Sequence, residues 1–159
     1  MMKAAVLTIS DSCHARQRDD LSGPAVKNFL ESRGWEASPP QILPDDLERI
    51  AQTIERLTAS SVIDVIFTTG GTGVAPRDVT PEATRQAIER EIPGLAELMR
   101  AAGVEKTRRA ALSRGIVGIS REKLVVNLPG SPKGAVESLE AIFDLLEHTV
   151  ELIRGRGEH

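Results

Sequence analysis

Apolar residues in this chain fall into two patterns, short unbroken runs and longer stretches in which they recur every three or four positions. Ala4 to Ile9 and Val62 to Thr69 are runs of the first kind, which suit strands buried on both faces. The first is stopped by Ser10-Asp11-Ser12 and the second by Gly70-Gly71-Thr72-Gly73. Gly115 to Ile119 and Leu124 to Leu128 predict two further strands, joined as a hairpin through Ser120 to Lys123. Trp35 to Leu43 reads as extended, and Pro39-Pro40 confines it to a sheet edge or an irregular strand.

The second pattern predicts helices. Ser22-Gly23-Pro24 supplies cap and first-turn residues, and Ala25, Val26, Phe29 and Leu30 follow at helical spacing until Gly34. Asp45-Asp46-Leu47-Glu48 resembles a capping box ahead of Leu47, Ile50, Ala51, Ile54 and Leu57, which share one face. Thr80-Pro81 opens a helix to about Arg90, and Pro93-Gly94 precedes another with Leu95, Leu98 and Met99. From Pro132 a final helix carries Val136, Leu139, Ile142, Phe143, Leu146, Val150 and Ile153 on one stripe, and Gly155 to His159 is expected to fray.

Strands alternating with helices imply an α/β fold: a three-layer sandwich with a mostly parallel central sheet. With 159 residues and no internal repeat, the whole chain is expected to form one domain. In such sheets ligands lie beyond the carboxyl ends of the strands. The turns that follow predicted strands here are Ser10-Asp11, Pro44-Asp45, Gly70 to Gly73 and Asn127 to Gly130.

Composition narrows the partners. The 20 Lys and Arg residues are scattered and outnumbered by 23 Asp and Glu, giving a net charge of -3, which argues against nucleic acid as the main partner. Aromatics are only 3% and tyrosine is absent, so no base-stacking platform is expected. Cys13 is the only cysteine, which rules out an internal disulfide and suits a reducing compartment. No window approaches the roughly 20 apolar residues of a membrane helix and no signal-peptide pattern precedes Ala4, so the expected location is cytoplasmic.

The glycine run has two readings, a tight turn or an anion cradle whose backbone N–H groups reach phosphate oxygens unobstructed. It is neither a Walker loop, lacking Gly-Lys-Ser/Thr, nor a complete dinucleotide fingerprint. In Pro129-Gly130-Ser131-Pro132-Lys133, Ser131 can cap the last helix and Lys133 sits in its first turn, where a cation opposes the helix dipole. A bound phosphate would make that same lysine favourable. Asp45 and Asp78 each read as an N-cap or turn residue when taken alone, and as holders of magnesium when taken beside phosphate-binding loops. Cys13 and His14 have no partnered base and are read as loop residues.

Taken together, Thr8-Ile9-Ser10-Asp11, Asp20-Leu21-Ser22-Gly23, Pro44-Asp45-Asp46, Thr69 to Gly73, Arg77-Asp78-Val79-Thr80-Pro81-Glu82-Ala83, Glu91-Ile92-Pro93-Gly94, Leu112-Ser113-Arg114 and Asn127-Leu128-Pro129-Gly130 resemble the molybdopterin adenylyltransferase family. These are the MogA/MoaB-like proteins, which include the G domains of plant Cnx proteins and gephyrin. The resemblance implies magnesium-dependent transfer of AMP from ATP to the terminal phosphate of molybdopterin, with release of pyrophosphate. It also implies a homotrimer and a molybdate-inserting enzyme as downstream partner. By position it assigns catalysis and metal binding to Asp45 and Asp78. It assigns nucleotide phosphates to Gly70, Gly71, Thr72, Gly73, Arg77, Pro129, Gly130, Ser131 and Lys133, and the substrate rim to Ser10, Asp11, Ser22 and Ser113. Asp46 stands where the family commonly has glutamate, and Cys13 to Arg18 lacks the glycine expected there. The alternative within the family is a paralogue that binds pterin without transferring.

Overall fold

The computed structural model describes residues 1–158, so His159, the end of the expected tail, lies outside the described residues. Seven strands form one sheet in the order β2-β1-β4-β7-β6-β5, with β3 also paired to β1. The strands are β1 (Lys3–Ile9), β2 (Glu36–Ala37), β3 (Gln41–Leu43), β4 (Val65–Thr69), β5 (Arg90–Glu91), β6 (Val117–Ser120) and β7 (Lys123–Leu128). All neighbours from β2 to β7 are parallel, whereas β5 and β6 are antiparallel additions at one edge. The hairpin between β6 and β7 closes through Arg121 and Glu122, both at positive φ (49° and 64°), the conformation a two-residue type I′ turn requires. Ser38-Pro39-Pro40 splits the edge segment into β2 and β3, as proline without an N–H dictates.

Alternation along the central strands sends side chains to two separate cores. Ala4, Val6, Val65, Phe67, Leu124 and Val126 pack with Val26, Leu30, Met99, Leu139, Ile142 and Leu146 on one face. That face is covered by α2 (Ser22–Ser32), α5 (Pro93–Lys106) and α6 (Pro132–Ile153). Ala5, Leu7, Ile9, Ile66 and Val125 pack with Ile50, Ile54 and Ala83 on the other, under α3 (Leu47–Thr58) and α4 (Thr80–Ala87). The result is the expected three-layer arrangement around a mostly parallel sheet.

Several local expectations need correction. Asp11–His14 is a one-turn helix, α1, capped by the Ser10 side chain, and Cys13 on it is buried rather than a loop residue. The strand expected from Val62 begins at Val65, with Val62 itself exposed. The helix opened by Thr80-Pro81 ends at Ala87, because Ile88 turns extended to feed β5. Asp46, not Asp45, caps α3, accepting the Arg49 N–H. Arg108–Leu112 forms a 3-10 helix that no apolar spacing announces. Finally, the segment expected to fray opens on a regular helix cap. Gly155 (φ 68°) donates to the Leu152 carbonyl and Arg156 to that of Glu151, the pair of bonds that defines a Schellman cap.

Candidate active site

The strands β1, β3, β4 and β7 end together, and their following turns converge. Gly70 (φ 90°) sits so close to β1 that a Cβ there would overlap the Ile9 carbonyl oxygen. A Cβ on Gly130 would stand 3.2 Å from the Gly70 Cα. The glycine turn after β4 and the Pro129-Gly130 turn after β7 are therefore packed backbone to backbone, a close contact that glycine favours. Gly71 is at φ 68°, and its carbonyl accepts the Thr80 N–H, while the buried Thr80 hydroxyl donates to the Gly70 carbonyl. The start of α4 thus fixes the glycine turn.

Asp45 comes to this same point. A Cβ on Gly71 would lie 3.1 Å from Asp45 Oδ1, so the absence of that side chain leaves the carboxylate facing the turn. Asp45 Oδ2 accepts the Asp11 N–H at 3.0 Å, and the Asp45 N–H donates to Asp11 Oδ1 at 3.0 Å. Arg77 grips the Asp11 carboxylate with Nε at 2.8 Å and Nη2 at 3.0 Å. That fork holds the Asp11 carboxyl below its usual range, with the Asp45 N–H adding to the effect. Asp45 shifts the opposite way. Burial raises its pKa most, the bond from the Asp11 N–H offsets part of that, and the charges of Asp11 and Asp78 raise it further.

Asp78 lies on the far side of the glycine turn. Its Oδ2 accepts the Ala75 N–H at 2.9 Å and is 2.8 Å from where a Cβ of Gly73 would be. No ion pair holds it among the described residues.

Two cavities open on either side of this ridge. The larger, about 430 Å³, is mainly apolar, with Ala96, Met99, Ala110 and Leu112 along one wall and Asn127, Ser113 and Ser138 as polar points. The other, about 400 Å³, is bounded by Ser10, Asp20, Ser22, Asp45 and Thr69. Both are lined by Gly71, Asp78, Gly130 and Ser131. Ligands seated in the two would meet over those four residues.

Of the residues expected at the site, Ser10, Asp45, Gly70, Gly71, Thr72, Gly73, Asp78, Ser113, Pro129, Gly130 and Ser131 line one or both cavities. Ser22 does too, but its buried hydroxyl pairs with Thr69 Oγ1 at 2.7 Å. Asp11 and Arg77 line neither cavity and pair with each other beside Asp45. Lys133 stands in the first turn of α6 with its side chain 85% exposed, 3.9 Å from Glu137 and outside both cavities. Ser131 caps that helix through the Gly134 N–H as its spacing predicts.

Three other contributors stand in the motifs quoted from the sequence, which assigned them no role. Buried Asn127 donates to Thr68 Oγ1 and Thr84 Oγ1, both at 3.0 Å, and accepts the Ile116 N–H, tying β4, β7 and α4 together under the turn. Asp20 accepts from Thr8 Oγ1 and from the Gly23 N–H. Arg114 reaches across to the glycine loop. The long-range pairings, as of Asn127 with Thr68 and of Arg114 with Gly73, follow no periodicity or spacing that a sequence reading could find.

Residues 5–148 match the family model described as a probable molybdopterin binding domain. The molybdenum cofactor synthesis protein cinnamon of Drosophila melanogaster is 44% identical over 93% of this chain, although the chain spans only 25% of that protein. A molybdopterin adenylyltransferase of Helicobacter pylori is 37% identical over 94% of this chain and 86% of its own length. Among solved structures, the molybdopterin biosynthesis enzyme MoaB of Thermus thermophilus superposes with a TM-score of 0.91 at 44% identity, covering 99% of both chains.

Proposed function

We propose, since this chain belongs to the family of probable molybdopterin binding domains, that it is a molybdopterin adenylyltransferase of molybdenum cofactor biosynthesis, joining the AMP of ATP to the terminal phosphate of molybdopterin. The observation that carries this reading is the pair of cavities lined in common by Gly71, Asp78, Gly130 and Ser131, which lets two bound molecules touch at one ridge.

An oxygen of the pterin's terminal phosphate attacks the α-phosphorus of ATP, and the bond from that phosphorus to the bridging oxygen of the leaving pyrophosphate breaks. The reaction needs little covalent work from the protein; what it needs is alignment and stabilisation of charge. The Gly70 N–H is taken by the Leu128 carbonyl and the Gly134 N–H by Ser131, so the backbone offered to phosphate oxygens is that of Gly71 to Gly73 and of Lys133 in the first turn of α6. Lys133 supplies a solvent-exposed cation at the rim. Asp11, gripped by Arg77, does not touch substrate in this scheme but orients Asp45 through their reciprocal bonds.

Asp45 and Asp78 suit magnesium. Asp45 is half-buried and its carboxylate is repelled by Asp11 and Asp78, so a cation beside it relieves a penalty built into the fold. No group of three or more potential ligand side chains occurs among the described residues, which fits an ion held by one or two carboxylates with substrate phosphates and water completing its shell. Such an ion, when bound, would neutralise charge on the polyphosphate.

The same reading places the protein in the cytoplasm as a homotrimer, with a molybdate-inserting enzyme consuming its product. No helix of the described residues is long and apolar enough to cross a membrane. Incubation with molybdopterin, ATP and magnesium tests the proposal: pyrophosphate and an adenylylated pterin appear together. A protein that retains the pterin yet releases no pyrophosphate would instead be a binding paralogue.

A further inference from the structure

Arg114 precedes β6 and lies far in sequence from the glycine loop, yet its backbone N–H, Nε and Nη2 all donate to that loop. Its backbone N–H donates to the Thr72 carbonyl at 2.7 Å. Its guanidinium donates to the Gly73 carbonyl at 2.7 Å through Nε and to the Asp78 carbonyl at 2.8 Å through Nη2. Nη1 meets both oxygens of Glu82 on α4, at 2.5 and 3.2 Å. Two carbonyls that bracket the exposed stretch Val74 to Arg77 are thereby pinned by one planar group. The backbone carrying Arg114 is fixed in turn by Arg100, whose Nη1 donates to the carbonyls of its neighbours Ser113 and Gly115 at 3.3 and 2.9 Å.

The consequence falls on Asp78. Among the described residues its carboxylate is held only by the Ala75 N–H inside that same loop, so its direction follows the loop's conformation. We propose that Arg114 is a positioning residue for adenylyl transfer: by clamping Gly73 and Asp78 it fixes both the phosphate-facing backbone and the Asp78 carboxylate at the ridge where the two cavities meet. The inference rests on the transfer reaction assigned above. A planar fork is essential to it, because three acceptors lie in three directions around one side chain, and a lysine ammonium keeps the charge without that geometry.

The test is Arg114→Lys, with Glu82→Gln as a milder perturbation of the same clamp should the first variant not fold, and Arg85→Gln on the neighbouring face of α4 as a control. A displacement of about 1 Å at reacting groups costs on the order of 100-fold in rate, so kcat for Arg114→Lys should fall by about that factor, with Glu82→Gln intermediate and the control unchanged. If Arg114 acts through Asp78, adding Arg114→Lys to Asp78→Asn lowers kcat by much less than it does in the wild type. Amide hydrogen exchange at residues 72–78 should quicken in Arg114→Lys, a readout independent of turnover. Wild-type kcat in the folded variants, strictly additive losses in the double variant, or unaltered exchange in the loop would each overturn the proposal. A wild-type protein that makes no pyrophosphate would instead remove the transfer reading, while the exchange measurement would still judge the clamp.

Discussion

Asp45 carries a carboxylate that the fold leaves only partly compensated. Burial and the charges of Asp11 and Asp78 raise its pKa, so keeping it ionised in the folded protein costs free energy that the unfolded chain does not pay. Asp45→Asn preserves an oxygen to accept the Asp11 N–H and removes the charge. It should abolish most pyrophosphate release, yet melt at a higher temperature than wild type near neutral pH. The sign follows from linkage. A carboxyl whose folded pKa is raised is destabilising where it is ionised, and the penalty fades as pH falls through the folded value towards the unfolded value of about 3.9. The gain in melting temperature should therefore shrink on acidification, and thermal scans of both proteins from neutral pH to about pH 4 would measure it. Asp11 runs oppositely. Its lowered pKa, caused chiefly by Arg77, adds stability above the unfolded value that is lost as pH falls through the folded one.

Among the elements, the glycine turn after β4 shows where local sequence and tertiary contact divide the work. Gly70 and Gly155 both lie at positive φ, 90° and 68°, where any other residue pays a left-handed penalty of about 1–2 kcal/mol. A Cβ at Gly155 meets nothing within 4 Å among the described residues, whereas one at Gly70 overlaps backbone of β1. Gly155→Ala should thus cost about 1–2 kcal/mol in urea unfolding, and Gly70→Ala clearly more, with loss of activity as the turn is forced away from the Ile9 carbonyl. Equal costs would show that β1 yields at no expense. The same contrast explains what could be read from the chain. Helices α3 and α6 announce themselves by apolar stripes and caps, and the central strands by unbroken apolar runs. Helix α1 is 4 residues long, too short for a period to show. Two adjacent aspartates left the cap of α3 undecided, and only the bond from Arg49 to Asp46 frees Asp45 for the site. The glycine turn, Asp45 and Asp78 were legible as motifs, but Asp11 as an orienting group and Arg114 as a clamp depend on partners dozens of residues away.

At the scale of the whole molecule, the two ends of the sheet have different tasks. The carboxyl ends of β1, β4 and β7 are open and hold the ridge, while their amino ends are sewn shut around Asp64. Its Oδ2 accepts the Lys3 N–H at 2.8 Å, its backbone N–H donates to the Lys3 carbonyl, and its own carbonyl accepts from Leu124. Its Oδ1 receives Nη2 of Arg154 at 2.5 Å, a pair in which the side chains are only 21% and 15% exposed. Asp64, just ahead of β4, thereby joins β1 through its carboxylate and β7 through its carbonyl to the end of α6, the helix whose other end faces both cavities. Breaking a buried pair by removing one partner costs about 3–5 kcal/mol, and a pair retaining some contact with water should lose less, so Arg154→Met is expected to cost roughly 2–3 kcal/mol. Because the pair sits at the opposite end of the sheet from Asp45 and Asp78 and shares no partner with either, kcat should stay within a factor of about two at temperatures where the variant remains folded, as distant sites without shared partners act nearly independently. Chemical denaturation paired with pyrophosphate release measures both quantities in one variant. A loss of rate matching the loss of stability would mean that the ridge is held in place from the far end of α6, and not by the local network of Thr80, Asn127 and Arg114.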